Sequence, residues 1–196
     1  MRKTSALLGA GALVAATAGL AIPASAQDAE AQLSVLHGIP DLTVDVYVNG
    51  DLTLDDFTPG TLAGPLDLPA GTYSVALTAS DAADDSDPVL GPIDLPLEAG
   101  GNYTAAAFLD ASAAPTAALF TNDTSAAGAG EGKLTVRHAA ANAEGVEIVA
   151  NGDTSLGTFN NGEELGPVAL PAATYSAEIK AGDTVVPPTP ADVPVT

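Results

Sequence analysis

His37 and His138 are the two histidines of this 196-residue chain, and each lies close to carboxylates: Asp41 and Asp45 after the first, Glu144 and Glu147 after the second. An imidazole among carboxylates could bind a metal or serve a hydrolase as a base. A single imidazole without a second nitrogen or sulfur ligand makes a poor zinc site. The expected role of both is therefore structural, a histidine that closes a strand and bonds a loop backbone. The run DAADDSD offers oxygen ligands of the kind calcium takes, with Asp81, Asp84, Asp85 and Asp87 as the candidates. It lacks the alternate-position pattern and the glycine of an EF-hand loop, so any affinity would be weak. A solvated hairpin loop is the favoured reading. No Gly-x-Ser-x-Gly elbow, His-Glu-x-x-His helix, phosphate-cradling loop or cysteine nucleophile occurs. The sequence thus predicts no catalytic residue, no resident metal and no cofactor.

The elements that would carry these residues read as strands. In TVDVYVNGDLTL, Val44, Val46 and Val48 alternate with Asp45, Tyr47 and Asn49, the period of a half-buried strand. Asn49-Gly50 then supplies a two-residue hairpin turn, because both positions need positive φ. GVEIVANGDTSL repeats the plan, with Val146, Ile148 and Ala150 inward, Glu147 outward, and Asn151-Gly152 at the turn. In LPAGTYS, Pro69 presets the turn and Tyr73 opens the next buried face, where its phenol can bond a nearby carbonyl as a tyrosine corner does. LPAATYS places Tyr175 likewise, with Ala173 where the first phrase has Gly71. Were that position left-handed, the exchange would cost on the order of 1 kcal/mol, so a gentler turn is expected.

These matches fall in order. His37 and His138 are 101 positions apart; Asn49 and Asn151, Phe57 and Phe159, Pro65 and Pro167, and Tyr73 and Tyr175 are all 102 apart. Ordered matches of this length mark an internal duplication. Strands are expected near 33–36, 44–48, 52–54, 65–68, 73–78, 93–97, 103–109 and 117–121. Short strands punctuated by Gly, Pro and Asn predict an all-β fold, two tandem antiparallel immunoglobulin-like β-sandwiches. The first spans residues 31–121, a flexible linker 122–132, and the second 133–196. Residues 103–109 shifted by 102 would fall beyond Thr196. The second copy is thus expected to lack its last strands, unless the chain continues, and its open edge must be covered by the first copy or by another chain.

LSVLHGIPDLTVDVYVNGD followed by LPAGTYSVAL resembles the secreted bacterial domain of unknown function DUF4397. His37, Pro40, Asp41, Val44 to Val48, Asn49-Gly50 and Pro69 to Tyr73 carry the likeness. The second copy keeps His138 and Asn151-Gly152 but has Ala140, Ala141 and Asn142 where proline and aspartate are expected. The resemblance implies an exported, often tandem β-sandwich and brings no known chemistry with it.

The ends and the charge bound the setting. Arg2 and Lys3, an apolar stretch from Ala6 to Ile22, and Ala24-Ser25-Ala26 read as a signal peptide, residues 1–26, cleaved after Ala26. What remains has three basic residues, Lys133, Arg137 and Lys180, against 25 acidic ones, a net charge of −22. Such a surface repels phosphate backbones and anionic lipid, so neither nucleic acid nor stable membrane insertion is expected. The chain has no cysteine, which excludes disulfides and a lipid-modified N-terminal cysteine. LPAGT is not followed by a sortase-type apolar segment and basic tail. The expected protein is a secreted or envelope-associated, non-catalytic interaction or structural module whose partner is an envelope polymer or an extracellular protein. A calcium-dependent binding module and a secreted hydrolase are the alternatives.

Overall fold

A computed structural model describes residues 29–141, 143–187 and 191–196. The expected signal peptide and its cleavage site at Ala26 lie outside the described residues. The first strands are β1 (Ala31–His37), β2 (Val44–Val48), β3 (Asp51–Phe57), β4 (Leu62–Leu68), β5 (Gly71–Ala79), β6 (Leu90–Leu97), β7 (Asn102–Leu109) and β8 (Pro115–Thr121). They form two sheets of four, ordered β4-β1-β7-β8 and β3-β2-β5-β6. All pairings are antiparallel except that of β1 with β7, which run parallel from Gln32 beside Asn102 to His37 beside Ala107.

The valine alternation explains the packing. Val44 and Val46 are buried between the sheets with Phe57, Leu77 and Ala107. Ala31, Leu33, Leu95, Leu97 and Tyr103 form a second cluster at the other end of the sandwich. With few aromatics, the core relies on small and branched aliphatic side chains, and a cavity of about 270 Å³ remains inside it.

The remaining strands are β9 (Glu131–Arg137), β10 (Val146–Ala150), β11 (Thr154–Phe159), β12 (Glu164–Pro171), β13 (Ala173–Ala181), β14 (Thr184–Val185) and β15 (Ala191–Val195). One sheet is ordered β11-β10-β13-β14, with β15 also on β13. The facing sheet has two strands, β12 and β9. Val146, Ile148 and Phe159 form its buried cluster, smaller than either cluster of the first sandwich.

The local devices recur with the same geometry. Asn49 and Gly50 take φ of 53° and 84°, and Asn151 and Gly152 take 52° and 84°, as an Asn-Gly hairpin turn requires. The Asn49 Oδ1 accepts from the Ser74 N–H at 2.9 Å, tying the turn to β5; Asn151 does the same to Ser176 at 3.1 Å. The Tyr73 hydroxyl donates to the Pro69 carbonyl at 2.7 Å, and Tyr175 donates to Pro171 at 2.9 Å. The turn before Tyr73 differs from expectation. Neither Gly71 nor Ala173 has a positive φ, because each already belongs to a strand, so the exchange between them carries no left-handed penalty.

The expected linker is anchored at its start, and β9 begins at Glu131, inside the stretch read as linker. Lys133 bonds the Asp123 carboxylate at 2.7 Å and also the Ser125 hydroxyl. Arg137 bonds Asn122 at 2.6 Å and Glu164 at 2.8 Å, and its guanidinium lies 4.8 Å from the centre of the Phe120 ring. The linker therefore starts along the outer face of β9, held by both of that strand's cations.

Two outcomes follow from this backbone. A Cβ on Gly64, at φ 103°, would lie 2.7 Å from the Leu33 carbonyl oxygen. Gly64→Ala should cost on the order of 2 kcal/mol in urea unfolding, while Gly71→Ala should be neutral or stabilise by up to about 1 kcal/mol. Equal losses would contradict the assignment. The Lys133 and Ser125 bonds hold the Asp123 carboxyl well below the usual carboxylate range. A folded value below the unfolded one gives stability that is present above about pH 4 and is lost as the pH falls through the folded value. Thermal melts should therefore show Asp123→Ala lowering Tm at neutral pH, with the gap to the parent closing in acid.

Candidate functional site

The two histidines face the sandwich interiors. His37 ends β1 and is 1% exposed; its Nε2–H donates to the Leu42 carbonyl at 2.7 Å, and its ring stacks on Phe57 with centroids 5.6 Å apart. His138 follows β9, donates from Nε2 to the Ala143 carbonyl at 2.5 Å, and meets Phe159 edge-on at 5.7 Å. Its Nδ1 accepts from the Ala140 N–H at 3.2 Å, which fixes the tautomer. The corresponding Nδ1 of His37 is buried and has no partner among the described residues. Each imidazole thus pins the loop that follows its strand. Asp45 points to the outer face of β2, away from the interior that holds His37, so these two are not brought together.

The four aspartates of the loop between β5 and β6 do not converge either. Asp84 Oδ1 accepts from the Ser86 N–H at 3.0 Å, and bonds from Ser86 lower its pKa. Asp85 approaches Gly50. Among the described residues, the group whose ligand atoms all lie within 4.8 Å of one another is instead Asp45, Asp55 and Asp56. The strand motif singles out Asp45, but Asp55 and Asp56 carry no sequence signal. Strict alternation along β3 would put them on opposite faces.

A bulge in β3 brings them together. Val44 pairs with Phe57 and Val46 pairs with Leu54, so two residues of β3 oppose Asp45 alone. Asp56 takes a φ of 51° and donates its N–H to Asp45 Oδ1 at 2.9 Å. Such a bulge re-aims side chains that regular pleating would separate.

The second concave feature lies in the second sandwich. A cavity of about 620 Å³ is lined by Val136, Val146, Ile148, Phe159 and Ile179, with Gly38, Pro40 and Leu109 of the first sandwich at its margin. The corresponding residues of the first sandwich, Val35, Val44, Val46, Phe57 and Leu77, surround Ala107 of β7. The residues that line this cavity are thus the counterparts of those that pack on β7 in the first sandwich.

A structural imidazole predicts a cost in stability. His37→Ala would leave the Leu42 carbonyl unpaired and open space beside Phe57, so unfolding should lose about 2–4 kcal/mol. Calorimetric melts of the variant check this. An unchanged Tm would mean that the imidazole does not hold the loop and is kept for chemistry instead.

No curated protein matches the chain. The family model described as a domain of unknown function, DUF4397, matches residues 31–149, from β1 through most of β10 and well over half of the sequence. The same stretch holds the buried histidines, both sheets of the first sandwich and the anchored linker, and the chain belongs to the DUF4397 family.

Proposed function

We propose that this chain is an exported, non-catalytic interaction module made of two copies of a duplicated sandwich, the second of which takes up an extended polypeptide segment along β9. The observation that carries the reading is the pairing of β9. Its counterpart β1 is flanked by β4 on one side and β7 on the other, whereas β9 pairs with β12 alone among the described strands. An unpaired edge beside an apolar cavity favours strand addition, in which backbone bonds give affinity and side-chain pockets give selectivity.

β7 indicates what such a segment should look like. Its sequence is NYTAAAFL, six of its eight positions are buried, and small alanines face the core. The donor is therefore an extended segment of small apolar residues with an aromatic near each end, running parallel to β9. An extracellular protein fits this requirement better than an envelope polymer, since a polysaccharide has no amide ladder to offer. Export itself rests on the N-terminal leader pattern, and a non-catalytic role agrees with polar groups engaged in structural bonds.

A synthetic peptide spanning residues 101–110, added to the purified chain, tests the reading. Saturable binding by calorimetry and a rise in Tm of a few degrees are expected, and both should vanish when Ala105 and Ala107 of the peptide, which stand on the side of β7 that bonds β1, are replaced by proline. No binding by the parent peptide, or equal binding by the proline peptide, would overturn it.

A further inference from the structure

We infer that the outer face of the first sandwich carries a divalent-cation site, suited to calcium, formed by Asp45, Asp55 and Asp56 with the Thr78 hydroxyl. Asp45 is 4% exposed although it points away from the core. Its carboxylate accepts the backbone N–H of Asp56. Three carboxylates have oxygens within 4.8 Å of one another, a spacing at which one cation could touch all three.

No basic side chain among the described residues pairs with them. Lys133, Arg137 and Lys180 are the basic residues beyond residue 28, and their ion pairs are with Asp123, Glu164 and Glu178. On the side of Asp45 away from β3 lies Thr78 of β5, directly opposite in the antiparallel register and so on the same face. Thr78 is 0% exposed, and its Oγ1 has no hydrogen-bond partner among the described residues. Buried hydroxyls are almost always bonded. Its place opposite Asp45 in the register makes it the neutral oxygen to add to the carboxylates. A set made wholly of hard oxygens is what calcium takes, with water completing its six to eight ligands.

The second sandwich supplies an internal comparison. At the positions 102 further on, Asp45 becomes Glu147, Asp55 becomes Gly157, Asp56 becomes Thr158 and Thr78 becomes Lys180. Lys180 stands directly opposite Glu147 in the register. Where one copy has three carboxylates and a threonine, the other has one carboxylate and a covalent cation. An ion in the first sandwich would supply the charge that Lys180 supplies in the second. This site differs from the loop of Asp81 to Asp87, and it does not depend on strand addition at β9.

The test is a titration of calcium chloride into the chelator-treated chain, followed by calorimetry and by Tm. Calcium should bind and raise Tm. Asp55→Asn, at an exposed position, should weaken binding about tenfold or more. Asp84→Asn and Asp85→Asn should leave the affinity within about twofold, since those side chains lie outside the ligand set. Thr78→Lys should abolish the calcium response and raise the Tm of the calcium-free chain. Absence of both binding heat and Tm shift in the parent would overturn the proposal. So would calcium binding that Asp55→Asn leaves intact, since that would place the ion on the other loop.

Discussion

The backbone of β1 has amides and carbonyls on two sides, and both sides must be paired for a sandwich of this size to close. In the first sandwich β4 takes one side and β7 the other, so the central strand is satisfied. In the second, β9 is satisfied on the β12 side alone among the described strands, and the cavity there, about 620 Å³, is larger than the one of about 270 Å³ inside the first sandwich. Unpaired backbone groups next to apolar surface are costly to leave and favourable to cover. The proposed role follows from this one asymmetry between two otherwise similar units.

With no cysteine to form a disulfide, the apolar clusters stabilise the fold and local ties hold its loops. Asn49 fastens its own turn to β5, Tyr73 fastens the following turn to Pro69, and His37 fastens the β1–β2 loop to Leu42. Each tie spends the polar end of a side chain on the backbone. Asn151, Tyr175 and His138 repeat all three. The groups that look most capable of chemistry in the sequence are therefore those that hold the loops in place.

Much of this is legible in the order of the residues alone. The alternation of Val44, Val46 and Val48, the two Asn-Gly turns and the tyrosine bonds follow from local rules that act within a few residues. The histidine ties are legible too, since a lone imidazole with no second soft ligand has few uses other than bonding backbone. What stays hidden is non-local or irregular. The parallel match of β1 with β7 joins residues 70 apart, and no local pattern encodes it. The clustering of Asp55 and Asp56 on the face of Asp45 depends on a bulge that breaks the strand period from which faces are read. The aspartate run from Asp81 stands out because its charges are adjacent in sequence. Adjacent carboxylates on a loop tend to splay into solvent, whereas the bulge in β3 turns the adjacent Asp55 and Asp56 toward Asp45. The linker looks free by composition, yet Lys133 and Arg137 fasten its first residues to β9.

Hydrogen exchange of the backbone amides in β1 and β9, followed by NMR on the chain alone, tests the central claim most directly. Every amide of β1 between Gln32 and His37 should be protected, while the β9 amides that do not face β12 should exchange faster by orders of magnitude. Equal, slow exchange along both strands would mean that β9 already has a second neighbour, and the account of an acceptor edge would be wrong.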